Sequence, residues 1–142
     1  MDYDIAIIGA GPAGLSCALS LRATGLKVAV IEQQSAAALA DPAYDGREIA
    51  LTHLSQRLMQ QHGSWQRLSA DDVSPLMAAS VLNGTSDYSL NFSAPQANSE
   101  PLGYLVSNQH IRKAVYEEFA ATEAADLWES ATVTQVHTDD GG

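Results

Sequence analysis

The spacing of apolar and polar positions changes several times along this chain, and each change marks an element. Ile5-Ala6-Ile7-Ile8 is a short unbroken apolar run rich in β-branched residues, the pattern of a strand covered on both faces in a parallel sheet. From Pro12 the spacing is helical: Ala13, Cys17, Ala18 and Leu21 recur on one face until Gly25. A proline at the first helical position forfeits no hydrogen bond, and a glycine beyond the last turn supplies the stop. Lys27-Val28-Ala29-Val30-Ile31 reads as a second buried strand that ends at Glu32. Strand, helix and strand in this order require a parallel pair joined by a right-handed crossover.

Residues 33–46 hold an alanine-rich stretch and then Asp41-Pro42-Ala43-Tyr44-Asp45-Gly46, whose proline and glycine predict a loop. Thr52 is placed to cap a helix that turns Leu54, Leu58 and Met59 inward and closes at Gly63, with Trp65 covering the core beyond it. Past Pro75 the period shortens: Leu76–Leu82 and Tyr88–Phe92 flank Asn83-Gly84-Thr85-Ser86, predicting two strands joined by a turn. A loop over Asn98–Pro101 leads to a short strand, Tyr104-Leu105-Val106, and to a helix capped by Ser107 or Asn108 with Ile111, Val115 and Phe119 on one face. Leu127-Trp128-Glu129 and Thr132–Val136 read as strands, and Asp139-Asp140-Gly141-Gly142 as a turn with nothing after it.

Composition narrows the class. The 142 residues are 46% hydrophobic and 17% charged, the balance of a globular chain rather than a disordered one. Seventeen acidic against 7 basic side chains give a net charge of −10, which repels nucleic acid and anionic lipid alike. The lone cysteine, Cys17, has no internal disulfide partner and lies on an apolar helix face, where a thiol acts as a small hydrophobe. The acidic start, Met1-Asp2-Tyr3-Asp4, lacks the basic region of a secretion signal, so the expectation is a reducing, cytoplasmic setting. His53, His62, His110 and His137 lack the spacing of metal ligands and any neighbouring nucleophile, and are read as structural or exposed, with no metal. Asp71-Asp72 and Glu117-Glu118 read as solvated surface.

Between the first strand and the first helix lies Gly9-Ala10-Gly11-Pro12-Ala13-Gly14, a G-x-G-x-x-G whose context gives it weight. Gly9 permits the tight turn, Gly11 lets the backbone approach a pyrophosphate, and Gly14 lets the helix pack on the strand. Pro12 and Ala13 open the helix, whose free N–H groups and dipole favour phosphate. Glu32 stands at the end of the second strand, roughly 20 residues on, where a carboxylate accepts from ribose hydroxyls and repels a 2′-phosphate; Gln33 follows it in the same position at the sheet's carboxyl edge. The unit therefore binds the ADP half of FAD or NAD rather than NADP.

The stretch Asp4–Leu15, with its Gly-Pro-Ala-Gly-Leu centre, resembles the N-terminus of the glutathione-reductase-type flavoproteins, which favours FAD. Asp45-Gly46-Arg47-Glu48-Ile49-Ala50-Leu51-Thr52 resembles the arginine-centred loop of class A flavoprotein monooxygenases, the para-hydroxybenzoate-hydroxylase-like group. Leu102–Val115 resembles the segment that opens a flavin-contacting helix in the ubiquinone-biosynthesis hydroxylases, and Asp41–His53 is most similar to their demethoxyubiquinol hydroxylase branch. The resemblance implies an incomplete Rossmann-like α/β FAD-binding domain over residues 1–72 and 98–142, with 73–97 a β-hairpin that begins a substrate domain. It implies that Arg47 lies near the ribityl or pyrophosphate region and that Arg112 approaches the cofactor from the later helix. Where relatives carry Gln or Glu before that helix, this chain has Ser107 and Asn108.

Family members reduce FAD with NAD(P)H as a transient reductant and use O₂ to oxygenate an electron-rich aromatic ring, here a quinol-type precursor; the cofactor carries that chemistry. The resemblance also admits peripheral contact with the membrane or with other ubiquinone-synthesis proteins. No catalytic residue is assigned. The family's later Asp-Gly and Gly-Asp motifs find no match here, since Asp140-Gly141 sits in a turn. The chain thus reads as an N-terminal portion, expected to bind FAD weakly and to hydroxylate nothing alone. The competing readings are another glutathione-reductase-type flavoprotein, such as an isoprenoid reductase or amine oxidase, and a non-catalytic nucleotide-binding module.

Overall fold

The computed structural model describes residues 2–85, 88–93 and 100–138. Ser86 of the expected hairpin turn, residues 98 and 99 of the loop before Pro101, and the expected turn over Asp139–Gly142, with Asp140-Gly141, lie outside the described residues.

The chain runs β1 (Ile5–Ile8), α1 (Pro12–Leu21), β2 (Val28–Ile31), α2 (Ala36–Ala40), β3 (Glu48–Leu51), α3 (His53–His62), β4 (Val73–Leu76), β5 (Ala78–Leu82), β6 (Ser89–Ser93), β7 (Gly103–Ser107), α4 (Asn108–Thr122) and β8 (Asp126–Trp128), with 3₁₀ turns at Ser64–Arg67 and Ala70–Asp72. Three strands form a parallel sheet in the order β1-β2-β8. A second sheet, β3-β7-β4, is antiparallel, and β5 pairs with β6. Pro75 sits in β4, at the edge of its sheet, where a missing N–H interrupts no ladder.

Why β2 is central follows from its side chains: Val28, Ala29 and Val30 are all buried. Helix α1 packs against the sheet through Leu15, Ala18 and Leu19, and α4 through Ile111, Ala114, Val115 and Phe119, with Leu39, Met59 and Val106 completing the core. Each large aliphatic side chain so buried contributes about 1.5–3 kcal/mol. The ends of α3 are built as its sequence suggests: Thr52 Oγ1 accepts from the Ser55 N–H, and Gly63 takes the left-handed conformation at φ 95°. Trp65 packs against the core.

Several expectations are corrected. Cys17 is exposed; α1 is apolar nearly all round, and the line that faces the core is Leu15, Ala18, Leu19 rather than Ala13, Cys17, Leu21. On α3 the buried residues are Met59 and His62, while Leu54 and Leu58 are exposed, because a histidine occupies a core-facing position and shifts the apparent stripe by one residue. β1 is covered on one face only: Ile5 and Ile7 are half-buried and Ile8 is 62% exposed. Glu48–Leu51 is a strand and not part of the loop, since β7 supplies its ladder. The alanine-rich stretch is a short helix capped by the Ser35 hydroxyl at the Ala38 N–H. Thr132–Val136 forms no strand, having no pairing partner among the described residues. Glu118 is largely covered and pairs with Arg67 (3.0 Å) and Arg22 (3.6 Å).

Candidate dinucleotide site

The site grows from the end of β1. Gly9 turns the chain at φ 101°, a conformation open to glycine and strained for other residues, while its N–H stays on the Ile31 carbonyl at 2.8 Å. Gly14 brings α1 onto that turn so closely that a Cβ there would stand 2.1 Å from the Gly9 carbonyl oxygen and 3.2 Å from Ile7 Cγ2. At Gly11 a Cβ would meet nothing within 4 Å, so this backbone faces open space. Gly11 is also the N-cap of α1 and has no side chain to cap it. The first helical bond is Leu15 N–H to the Gly11 carbonyl, 3.0 Å. With Pro12 carrying no N–H, the Ala13 and Gly14 donors are left for an anion.

Glu32 closes the other side. Its carboxylate is buried; Oε2 accepts from the Ala10 N–H at 2.7 Å and Oε1 from the Gln34 N–H at 2.8 Å. Burial alone opposes ionisation, but the N–H donors of Gln34, Ala10 and Gln33, together with the charge of Arg112, outweigh it and lower the pKa. A carboxylate offers about four acceptor sites, so these backbone donors leave capacity for a ligand hydroxyl.

Beside it lies a cleft of about 120 Å³ lined by Ile8, Gly9, Ile31, Glu32, Gln33, Ala131 and Val133. Ala131 and Val133 come from the segment after β8, fastened by Ala131 N–H to the Glu32 carbonyl (2.8 Å) and Ser130 N–H to the Gln34 carbonyl (3.1 Å). The sequence reading missed these two residues and the role of Ala10 and Gln34; the apolar alternation after Trp128 was the available signal, without any indication of what it faces.

Gly9, Gly11, Pro12, Ala13, Gly14, Glu32 and Gln33 therefore meet at the carboxyl end of the parallel sheet. Arg112 joins them from α4, its Nη2 3.4 Å from Gln34 Oε1 and its charge acting on Glu32. Arg47 is engaged by Asp45: its guanidinium is exposed and clasped, with Nε at 2.9 Å and Nη2 at 2.6 Å from Oδ2. An uncapped helix start, a glycine turn open to ligand and a buried ionised carboxylate fit the phosphates and ribose of an ADP moiety, and hence FAD. Ser107 is the N-cap of α4 but its hydroxyl makes no capping bond.

The histidines lie elsewhere. His53 Nε2 is 2.7 Å from the Pro101 carbonyl, His110 Nδ1 is 3.2 Å from Asp72, and His62 is buried. Among the described residues no three His, Cys, Asp or Glu side chains are grouped to hold a metal ion, and no helix is long and apolar enough to cross a membrane.

Comparison with known proteins gives the family and the fold. The FAD binding domain family matches residues 2–142. Over 144 residues the chain is 47% identical to the ubiquinone hydroxylase UbiM of Neisseria meningitidis, covering 99% of this chain and 31% of that protein. It is 32% identical over 136 residues to the ubiquinone hydroxylase UbiL of Rhodospirillum rubrum, covering 96% and 31%. The fold is shared with the crystal structure of p-nitrophenol 4-monooxygenase PnpA from Pseudomonas putida, at TM-score 0.68 and 16% identity over 96% of this chain and 34% of that one. The chain thus spans about a third of the length of these proteins.

Proposed function

The chain belongs to the FAD binding domain family, and from that premise we propose that it supplies the ADP-binding part of an FAD-dependent aromatic-ring hydroxylase of ubiquinone biosynthesis. The observation that carries the reading is Glu32: a buried, ionised carboxylate tied to the glycine turn and lining a cleft of about 120 Å³ at the end of the parallel sheet. The 47% identity to a ubiquinone hydroxylase supports the reaction class.

In this reading Glu32 accepts from the ribose hydroxyls and Gln33 lines the adenosine side. The Ala13 and Gly14 N–H groups at the start of α1 hold the pyrophosphate. Arg47 and Arg112 add cationic donors to an anion that the helix N-terminus only partly neutralises. FAD, when bound, supplies acceptance of a hydride from NAD(P)H and activation of O₂ for the oxygenation of an electron-rich quinol-type ring. Residues 1–72 and 98–142 serve the cofactor. The hairpin of β5 and β6 begins the substrate part, with β4 fastening it to β7. In this reading the whole protein works in the cytoplasm, with peripheral contact at the membrane or with other ubiquinone-synthesis proteins.

Residues 1–142 alone hold FAD weakly and turn nothing over. Titrating the purified chain with FAD while following flavin fluorescence tests this. Saturable binding in the micromolar range or weaker, without NAD(P)H oxidation, is the expected result. No binding at all overturns the cofactor assignment; tight stoichiometric binding with NAD(P)H oxidation overturns the claim that the chain is inactive by itself.

A further inference from the structure

The loop between α2 and β3 is suspended from the first turn of α4. Gln109 Nε2 donates to the Pro42 carbonyl at 2.8 Å, the Asn108 N–H to the Arg47 carbonyl at 2.9 Å, and Asn108 Nδ2 to Asp45 Oδ2 at 2.7 Å. The same Asp45 carboxylate receives the Arg47 side chain through Nε and Nη2, and at Oδ1 the Arg47 backbone N–H at 3.1 Å. Arg47 first, and Asn108 after it, hold the Asp45 carboxyl at a pKa of about 2, so the clasp is charged at any working pH.

The clasp has a fixed end and an open end. Asn108 is buried, whereas the Arg47 side chain is 67% exposed. Asp45 takes the Nε and Nη2 edge of the guanidinium and leaves Nη1 without a bond to it. An arginine already confined to one orientation loses less freedom when an anion arrives, and its planar fork suits a phosphate.

We propose that Asp45 and Asn108 are positioning residues for cofactor binding: Asn108 fixes Asp45, and Asp45 holds Arg47 by one edge so that the other meets an anionic group of the dinucleotide. The inference rests on the reading of Arg47 as a cofactor contact.

The sign of one substitution separates positioning from simple charge. If Asp45 only offsets the charge of Arg47, Asp45→Asn frees a cation and tightens FAD binding. If Asp45 positions Arg47, the same change weakens it. The test measures FAD and AMP affinities of the 142-residue chain and of Arg47→Ala, Asp45→Asn and Asn108→Ala, with thermal melts of each; AMP lacks the second phosphate and the ribityl chain. Arg47→Ala is expected to weaken FAD about tenfold, the loss of a charge-assisted contact. Asp45→Asn and Asn108→Ala are expected to weaken FAD about threefold, a part of that contact, with AMP affinity unchanged and each variant still melting cooperatively at a modestly lower temperature. FAD binding that is unchanged or tighter in Asp45→Asn, while Arg47→Ala weakens it, overturns this inference alone. An equal loss of AMP affinity in Asp45→Asn also overturns it, by showing a collapse of the site. FAD affinity unchanged in Arg47→Ala overturns the reading of Arg47, and the inference with it.

Discussion

The Glu32 carboxylate accepts the Ala10 N–H at 2.7 Å across 22 positions of sequence, so the residue proposed to meet the ribose also locks the turn proposed to meet the phosphates. Glu32→Gln replaces an acceptor-only group by one whose NH₂ opposes the Ala10 or Gln34 donor. A buried N–H left unpaired costs about 1–3 kcal/mol. Urea unfolding at pH 7 is expected to show a loss of that size, and FAD affinity to fall about tenfold or more.

The same carboxylate makes stability depend on acid. Its folded pKa is lowered, so its contribution is present above the unfolded carboxylate range and is lost as pH falls through the folded value. Urea melts from neutral pH down into the acid range are expected to show a shallower decline for Glu32→Gln than for the parent. An identical decline contradicts an ionised Glu32 in the fold.

Gly14 and Gly11 separate folding from binding. A methyl at Gly14 collides with backbone, 2.1 Å from the Gly9 carbonyl oxygen, so Gly14→Ala is expected to lower the melting temperature by several degrees, as a destabilisation of about 1–3 kcal/mol does in a domain of this size, and to abolish FAD binding. At Gly11 the methyl meets no protein atom and φ is −73°. Gly11→Ala is expected to cost about 1 kcal/mol or less, since alanine caps a helix less well than glycine, while losing FAD. Paired melts and FAD titrations check both; a stable Gly14→Ala or an FAD-competent Gly11→Ala contradicts the geometry.

His62 is buried, and neither ring nitrogen has a hydrogen-bond partner among the described residues. Burial first, and Arg22 next, push its pKa down, with Glu118 opposing. The unfolded chain therefore takes up a proton before the folded one, and stability falls as pH drops below the unfolded histidine value of about 6.5. His62→Leu is expected to flatten the stability profile just below that pH, read by urea midpoints at pH 8 and pH 5.5. An unaltered slope sinks this assignment.

The unit from Ile5 to Glu32 was legible because its signals are local: a β-branched run, glycines at fixed offsets, a proline at a helix start and a carboxylate at a strand end. What escaped depends on partners far along the chain. Glu48–Leu51 is a strand because Gly103–Ser107 lies beside it, and Ala131 reaches the cleft because its N–H finds the Glu32 carbonyl. The register of α3 was obscured by His62, a polar residue at a core position. Asp45 stood within the stretch that drew attention to Arg47, yet nothing in their spacing revealed that one clasps the other.

The central claim, that residues 1–142 hold the ADP end of FAD through the glycine turn and Glu32, is tested most directly by competition. With the chain partly saturated by FAD and flavin fluorescence as the signal, ADP is added in one series, FMN in a second and adenosine 2′,5′-bisphosphate in a third. The account predicts that ADP displaces FAD, while FMN and the 2′-phosphorylated nucleotide do not. Displacement by FMN and none by ADP would contradict it.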